Sequence, residues 1–157
     1  MAMSLSIFVE ADYRKVKLMK VNQITYKDAE IQFSMDDLEL FRKILKEVRL
    51  AIENGGFETR LCWSPRQAHG FLEAISQEIQ EAHQNEAKLR FSRLEIIFFN
   101  NLLNEICNGI GLSNFEAKIG MSRDEVKQQL DLISELLDKM RSLNEIRRAS
   151  YLPILFC

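Results

Sequence analysis

A chain of 157 residues, 46% hydrophobic and 28% charged, has the size and composition of one folded domain with a substantial core, far from the disordered range. A formal net charge of −2 and a pI near 5.8 argue against bulk electrostatic attraction to nucleic acid or to an anionic membrane. No run of about 18 uncharged apolar residues offers a bilayer span, and Met1–Lys15 lacks the basic and apolar regions of a signal peptide.

The first periodic segment is Val16–Asn22, with apolar residues at alternating positions, followed by Tyr26–Phe33. These predict two strands joined as a hairpin through Gln23–Thr25. Ser34-Met35-Asp36-Asp37 then opens a helix: the serine hydroxyl accepts from a free backbone N–H, and the acid three residues on favours the positive helix end. Leu38, Phe41, Ile44, Leu45, Val48 and Ile52 form its apolar stripe, and Asn54-Gly55-Gly56 stops it. Phe57–Cys62 alternates apolar with polar and predicts a short strand or an extended link. Ser64, Pro65 and Gln67 make a strong helix start, and that helix runs to about Asn85 with Leu72, Ile75 and Ile79 inward.

The second half writes the same text again. Ala29–Ser34 reads AEIQFS, Ala87–Ser92 reads AKLRFS, and a constant offset of 58 continues from there. It pairs Phe41 with Phe99, Leu45 with Leu103, Glu47 with Glu105, Phe57 with Phe115, Ser64 with Ser122 and Leu72 with Leu130. Ser92-Arg93-Leu94-Glu95 and Ser122-Arg123-Asp124-Glu125 are again capping boxes, and Asn108-Gly109 with Gly111 ends the helix between them. Two copies are too few for a solenoid. The expectation is therefore a helix-dominated α+β fold, a pseudo-symmetric single domain over 1–157. It consists of two tandem strand–helix–link–helix repeats, about 29–80 and 87–138, after an N-terminal strand segment at 1–28. A small sheet holds Ala29–Phe33 and Ala87–Phe91 with the N-terminal strand beside them; the runner-up extends that sheet with the two links. The matched Phe41, Phe99, Phe57, Phe115, Leu72 and Leu130 are the expected core.

The last helix carries Val126, Leu130, Ile133, Leu137 and Met140 at coiled-coil spacing, widened by Leu132 and Leu136 into a stripe better suited to core burial. Pro153 and the apolar Ile154–Cys157 follow in the tail over 149–157, of which Leu152–Cys157 should dock on its own domain or across a homodimer.

Candidate chemistry is sparse. Cys62, Cys107 and Cys157 have no paired spacing, which fits a reducing cytoplasm, and two histidines, His69 and His83, are too few for a histidine-rich metal site. No cofactor is implied. Glu58 and Arg60 match Glu116 and Lys118, as link-fixing ion pairs or as a pseudo-symmetric anion site. Asn100, Asn101, Asn104 and Asn108 place a poor helix former repeatedly along one face, as a solvated strip or an interaction surface. Glu47 and Glu105 have no histidine nearby in sequence and read as helix-surface salt bridges. Cys107 reads as a small buried hydrophobe. Ile119–Leu130 looks like half of a helix-turn-helix, but Asp124 and Glu125 would stand where a recognition helix meets phosphates, so no nucleic-acid partner is expected.

LNEICNGI (Leu103–Ile110), followed by FEAKIGMSRDEV (Phe115–Val126), resembles a pattern of small bacterial proteins of unassigned function. In that pattern a serine-capped helix ends in an LNE-V/I-CNG run and a phenylalanine-acid-x-basic-x-glycine link leads into a second capped helix. The likeness spans about Phe91–Leu137 and, more weakly, Phe33–Ile79, where KEVRLAI (Lys46–Ile52) replaces NEICNGI and Cys62 replaces Gly120. It implies kinship and no activity. The expected function is a non-catalytic cytoplasmic interaction or regulatory protein, whose partner is another protein or a second copy; the alternative is a small-ligand or anion-binding domain, and an enzyme with a scattered site comes third.

Overall fold

A computed structural model describes residues 19–52 and 56–151. Two strands, β1 (Lys20–Ile24) and β2 (Asp28–Ser34), lead into helix α1 (Met35–Ala51), the short helix α2 (Gly56–Leu61) and helix α3 (Pro65–Glu81). Strand β3 (Glu86–Ser92) then leads into α4 (Arg93–Asn104), a π-helical turn (Glu105–Gly109), the short α5 (Phe115–Ile119) and the long α6 (Arg123–Tyr151). This is a helix-dominated α+β fold with one antiparallel three-stranded sheet in the order β1-β2-β3. No helix among the described residues is long and apolar enough to cross a membrane.

The four long helices, α1, α3, α4 and α6, all begin with capping boxes. Ser34 accepts from Asp37 N while Asp37 accepts from Ser34 N, and the same reciprocal pair forms at Ser64/Gln67, Ser92/Glu95 and Ser122/Glu125. Each box satisfies two backbone donors that a helix start otherwise leaves open, so these boundaries are set locally. The hairpin lies slightly later than the alternation predicts. Thr25 turns the chain: its N–H donates to Asp28 O at 2.8 Å, its hydroxyl donates to the Asp28 carboxylate at 2.9 Å, and the hydroxyl oxygen accepts from the amides of Lys27 and Asp28. Residues 16–18 of the predicted first strand lie outside the described residues, as does the apolar tail from Leu152 to Cys157.

The links are the main correction. Phe57–Cys62 and Phe115–Ile119 are not strands or extended segments, and the sheet is not extended by them; each is a short helix. Phe57 and Leu61 are buried, as are Phe115 and Ile119, while the residues between them are exposed. Positions i and i+4 share one face of a helical turn, and over five residues that spacing also satisfies a period of two.

One sheet face carries Ala29, Ile31 and Phe33 of β2 with Leu89 and Phe91 of β3, all buried beneath the helices. The opposite face is polar: Arg90 donates to Asp28 at 2.7 Å and to Gln23 at 2.7 Å, with Glu30 at 3.7 Å. The β2–β3 register sets Ile31 opposite Leu89, Ala29 opposite Phe91 and Phe33 opposite Ala87. Ile31 and Leu89 are themselves 58 residues apart, so the pairing is centred on a matched pair. The same holds around it. Met35 N donates to Asn85 O at 2.9 Å and Arg93 N to Lys27 O at 3.0 Å. Phe33 meets Phe41 at 5.9 Å between ring centroids and Phe91 meets Phe99 at 5.4 Å; Phe41 and Phe99 touch each other at 4.5 Å. Phe41, Phe99, Phe57, Phe115, Leu72 and Leu130 are all buried, as expected. Each link helix packs on the first helix of the other half, α2 on α4 and α5 on α1.

The stripe of α6 is used internally: Val126, Leu130, Ile133 and Met140 are buried, with Leu136 rather than Leu137 completing the row. The last turns of α6 reach the hairpin, where Arg147 stacks over the Tyr26 ring at 4.4 Å.

Candidate functional site

α1 and α3 lie side by side, and the order of their contacts along the chain is antiparallel. At one end Arg42 bridges Glu39 of its own helix, at 2.8 Å, and Glu73 of α3, at 3.0 Å. Those two carboxylates raise the pKa of its guanidinium, against its partial burial. From there a groove of about 550 Å³ runs toward Leu50 and Pro65. Leu45 and Leu72 form its buried floor, whereas Leu50 stands 65% exposed at the rim. A single exposed leucine is ordinary on a protein surface; what sets Leu50 apart is its place at the mouth of a groove floored by two further leucines.

The rim is cationic. Arg42, Lys46 and Arg49 follow one another on α1 at spacings of four and three, hence on one helix face. Arg42 is neutralised by Glu39 and Glu73; Lys46 and Arg49 have no ion-pair partner within 4 Å among the described residues. His69 completes the α3 side. A protein of net charge −2 thus presents an apolar trough beside two cations that have no ion-pair partner among the described residues.

The positions 58 residues on show how such a groove can be shut. Arg42, Lys46 and Leu50 correspond to Asn100, Asn104 and Asn108, and Pro65 corresponds to Arg123. Between α4 and α6, Asn100 accepts from the Ser134 hydroxyl at 2.8 Å, and Asn108 donates to Asn104 at 3.0 Å. Arg123 reaches across to Cys107 O at 2.7 Å and Leu112 O at 3.1 Å, with its guanidinium 4.7 Å from the centre of the Phe115 ring. Cys107 O belongs to the π-helical turn, where Ile110 N bonds back to Glu105 O. A π turn shifts the carbonyl ladder by one residue, and the arginine fork supplies donors to one carbonyl within it and one beyond it. Burial pushes the Cys107 thiol pKa up, the nearby Arg123 opposing it, in keeping with a small buried hydrophobe.

The predicted site residues distribute as follows. Asn100 and Asn101 are half-buried, and Asn100 is committed to the α4–α6 contact; Asn104 and Asn108 are exposed and bond to each other. Arg60 pairs with Glu105 of the other half, at 3.1 Å, rather than with Glu58. Glu58, Glu116 and Lys118 are exposed on the two short helices, and no hydrogen bond or ion pair joins the four residues among those described. Gly109 stands beside the Glu105 carboxylate, where any Cβ would collide with it.

Sequence reasoning missed the groove, although the residues that make it were in view. The 4-3 run of Arg42, Lys46 and Arg49, with Leu50 off the apolar stripe, was the available signal. A second hollow, about 570 Å³ between the end of α3 and β3, is lined largely by Glu78, Glu81, Gln84 and Glu86, and Gln32 there donates to Glu86 at 2.6 Å. Leu89, Ala82 and Ala87 are its apolar lining, set among carboxylates. Among the described residues no group of histidine, cysteine and carboxylate side chains is placed to hold a metal ion. No family model, curated protein or solved structure matches the chain.

Proposed function

We propose that this protein is a non-catalytic cytoplasmic interaction module that captures a protein partner in the groove between α1 and α3. The observation that carries the reading is the exposed Leu50 above a buried leucine floor, flanked by Lys46 and Arg49, which have no ion-pair partner among the described residues. Apolar floor and charged rim are the anatomy of a recognition groove. The anion-site alternative is weaker, because Arg60 is already committed to Glu105. The free Cys62 and Cys107 fit the reducing compartment.

The test is site-specific photo-crosslinking in cells. A benzoylphenylalanine in place of Leu50 should yield a discrete protein adduct, and the same group in place of Leu94, 68% exposed on α4, should not. The Lys46→Glu/Arg49→Glu double variant should abolish the Leu50 adduct. Equal adducts from both positions, or none from Leu50, would overturn the reading.

A further inference from the structure

Resting on that reading, we infer that the occupant of the α1–α3 groove is an acidic amphipathic helix, its leucine-like side chains on the floor and its carboxylates on the α1 rim.

Three features select this chemistry. The first is charge: among the described residues Lys46 and Arg49 are the groove's cations without an ion-pair partner, and the acid on its far side, Glu73, is already spent on Arg42. A basic partner would meet two like charges and find no free carboxylate in exchange; an acidic one gains two charge-assisted contacts in a basic patch on an otherwise acidic protein. The second is periodicity. Arg42, Lys46 and Arg49 rise along α1 over about two turns, and side chains on a second helix laid alongside recur at the same 3–4 residue interval. The third is shape. The space is a trough between two helices, with Leu50 65% exposed at its mouth. A small molecule in a specific pocket has about 70–90% of its surface buried. This trough leaves its occupant open to solvent along one side, as a groove-bound helix is, with anchors at i, i+3/i+4 and i+7.

The twin positions supply the contrast. Where α1 has Arg42, Lys46 and Leu50, α4 and the π turn after it have Asn100, Asn104 and Asn108, two of which bond to each other and one of which bonds to α6. Arg123 takes the place of Pro65 and spans toward the π turn. The asparagines thus spend hydrogen bonds on one another and on α6, whereas Lys46 and Arg49 leave their charges for another molecule.

The experiment uses the full chain and three probes. One is a synthetic helical peptide of about four turns, with leucines at alternating three- and four-residue spacing and glutamates on one flank. The second is the same peptide with lysine for every glutamate, and the third is phosphatidylserine vesicles. Binding is followed by fluorescence anisotropy for the peptides and co-sedimentation for the vesicles. Methyl resonances of the labelled protein locate the site.

The glutamate peptide should bind, shift the methyls of Leu45, Leu50 and Leu72, and weaken as salt rises. Lys46→Glu/Arg49→Glu should weaken it about ten-fold or more, and Leu50→Asp should do likewise. The control pair Lys88→Glu/Arg93→Glu, exposed on β3 and at the start of α4, should leave binding unchanged. All four altered α1 and control sites that carry charge are at the surface, so circular dichroism melts should show each variant folded. Preference for the lysine peptide, binding indifferent to the α1 double variant, or binding of vesicles alone overturns the inference. Should Leu50 crosslink a partner in cells while the glutamate peptide fails, the acidic-helix assignment falls and the groove reading stands. Failure of both removes both.

Discussion

Cys62 holds φ at +63°, and Gly120, its counterpart 58 residues on, holds +84°. Both close a short helix, because Cys62 N bonds back to Glu58 O as Gly120 N does to Glu116 O. A side chain in the left-handed region costs roughly 1–2 kcal/mol, which glycine escapes at an entropic cost of about 0.5–1 kcal/mol in the unfolded chain. Cys62→Gly should therefore stabilise the protein by about 0.5–1 kcal/mol, read as a higher urea midpoint at unchanged slope; a lower midpoint would show that the thiol makes a contact worth more than the strain. Glu95 carries the other residue-scale effect. Burial lifts its carboxyl pKa, bonds from Ser92 pull it back, and Glu78 adds repulsion. A carboxyl raised in the fold contributes stability that is complete below its unfolded pKa and is lost as pH rises through the folded value. Glu95→Gln keeps an oxygen for the Ser92 amide, as Gln67 does for Ser64, and removes the charge. The variant should melt higher than the parent near pH 7, with the gap closing as pH falls below the unfolded carboxyl range. A gap that widens in acid would refute the assignment.

Among elements, the π turn and its arginine are the most exacting. Arg123 makes two hydrogen bonds to carbonyls and lies over Phe115, so one side chain ties α6 to the end of α4 and to α5. Its exposure to solvent reduces what these contacts are worth. Arg123→Ala should cost about 1–2 kcal/mol, and Arg123→Lys should recover little, since an ammonium cannot serve both carbonyls with a planar fork. Denaturant titration of the pair measures this, and full recovery by lysine would mean that charge alone matters. The elements were legible in proportion to how local their causes are. Four capping boxes are decided within three residues of each serine, and each was readable. The links were not, because Phe57/Leu61 and Phe115/Ile119 satisfy two periods at once and only the core beneath them selects the helix. The π turn left no mark that composition or spacing would catch; its signature, an amide bonding five residues back from Ile110 to Glu105, is a property of the folded backbone.

At the scale of the whole molecule, net charge concealed what mattered. A sum of −2 is compatible with a locally cationic groove because a net charge averages over the surface, and only the pairing of Arg42 with Glu73 across two helices reveals which cations are left over among the described residues. The sheet was legible in membership, since AEIQFS and AKLRFS announce themselves, and its order follows the expectation of neighbouring strands. The cross-packing of α2 on α4 and α5 on α1 was not legible, because no feature of a single segment encodes its distant neighbour. The register of β2 has a consequence for how the chain comes into being. β1 is available to β2 as soon as the hairpin leaves the ribosome, but Leu89, which faces Ile31, and Phe99, which faces Phe41, are made only after α3 is complete. Throughout that interval the nascent chain carries a strand with one unpaired edge and half of an aromatic cluster, the kind of species that non-native pairing exploits. Synthesis that stalls between Glu81 and Phe99 leaves the chain at its most aggregation-prone, and chaperone demand should be concentrated there rather than at either end.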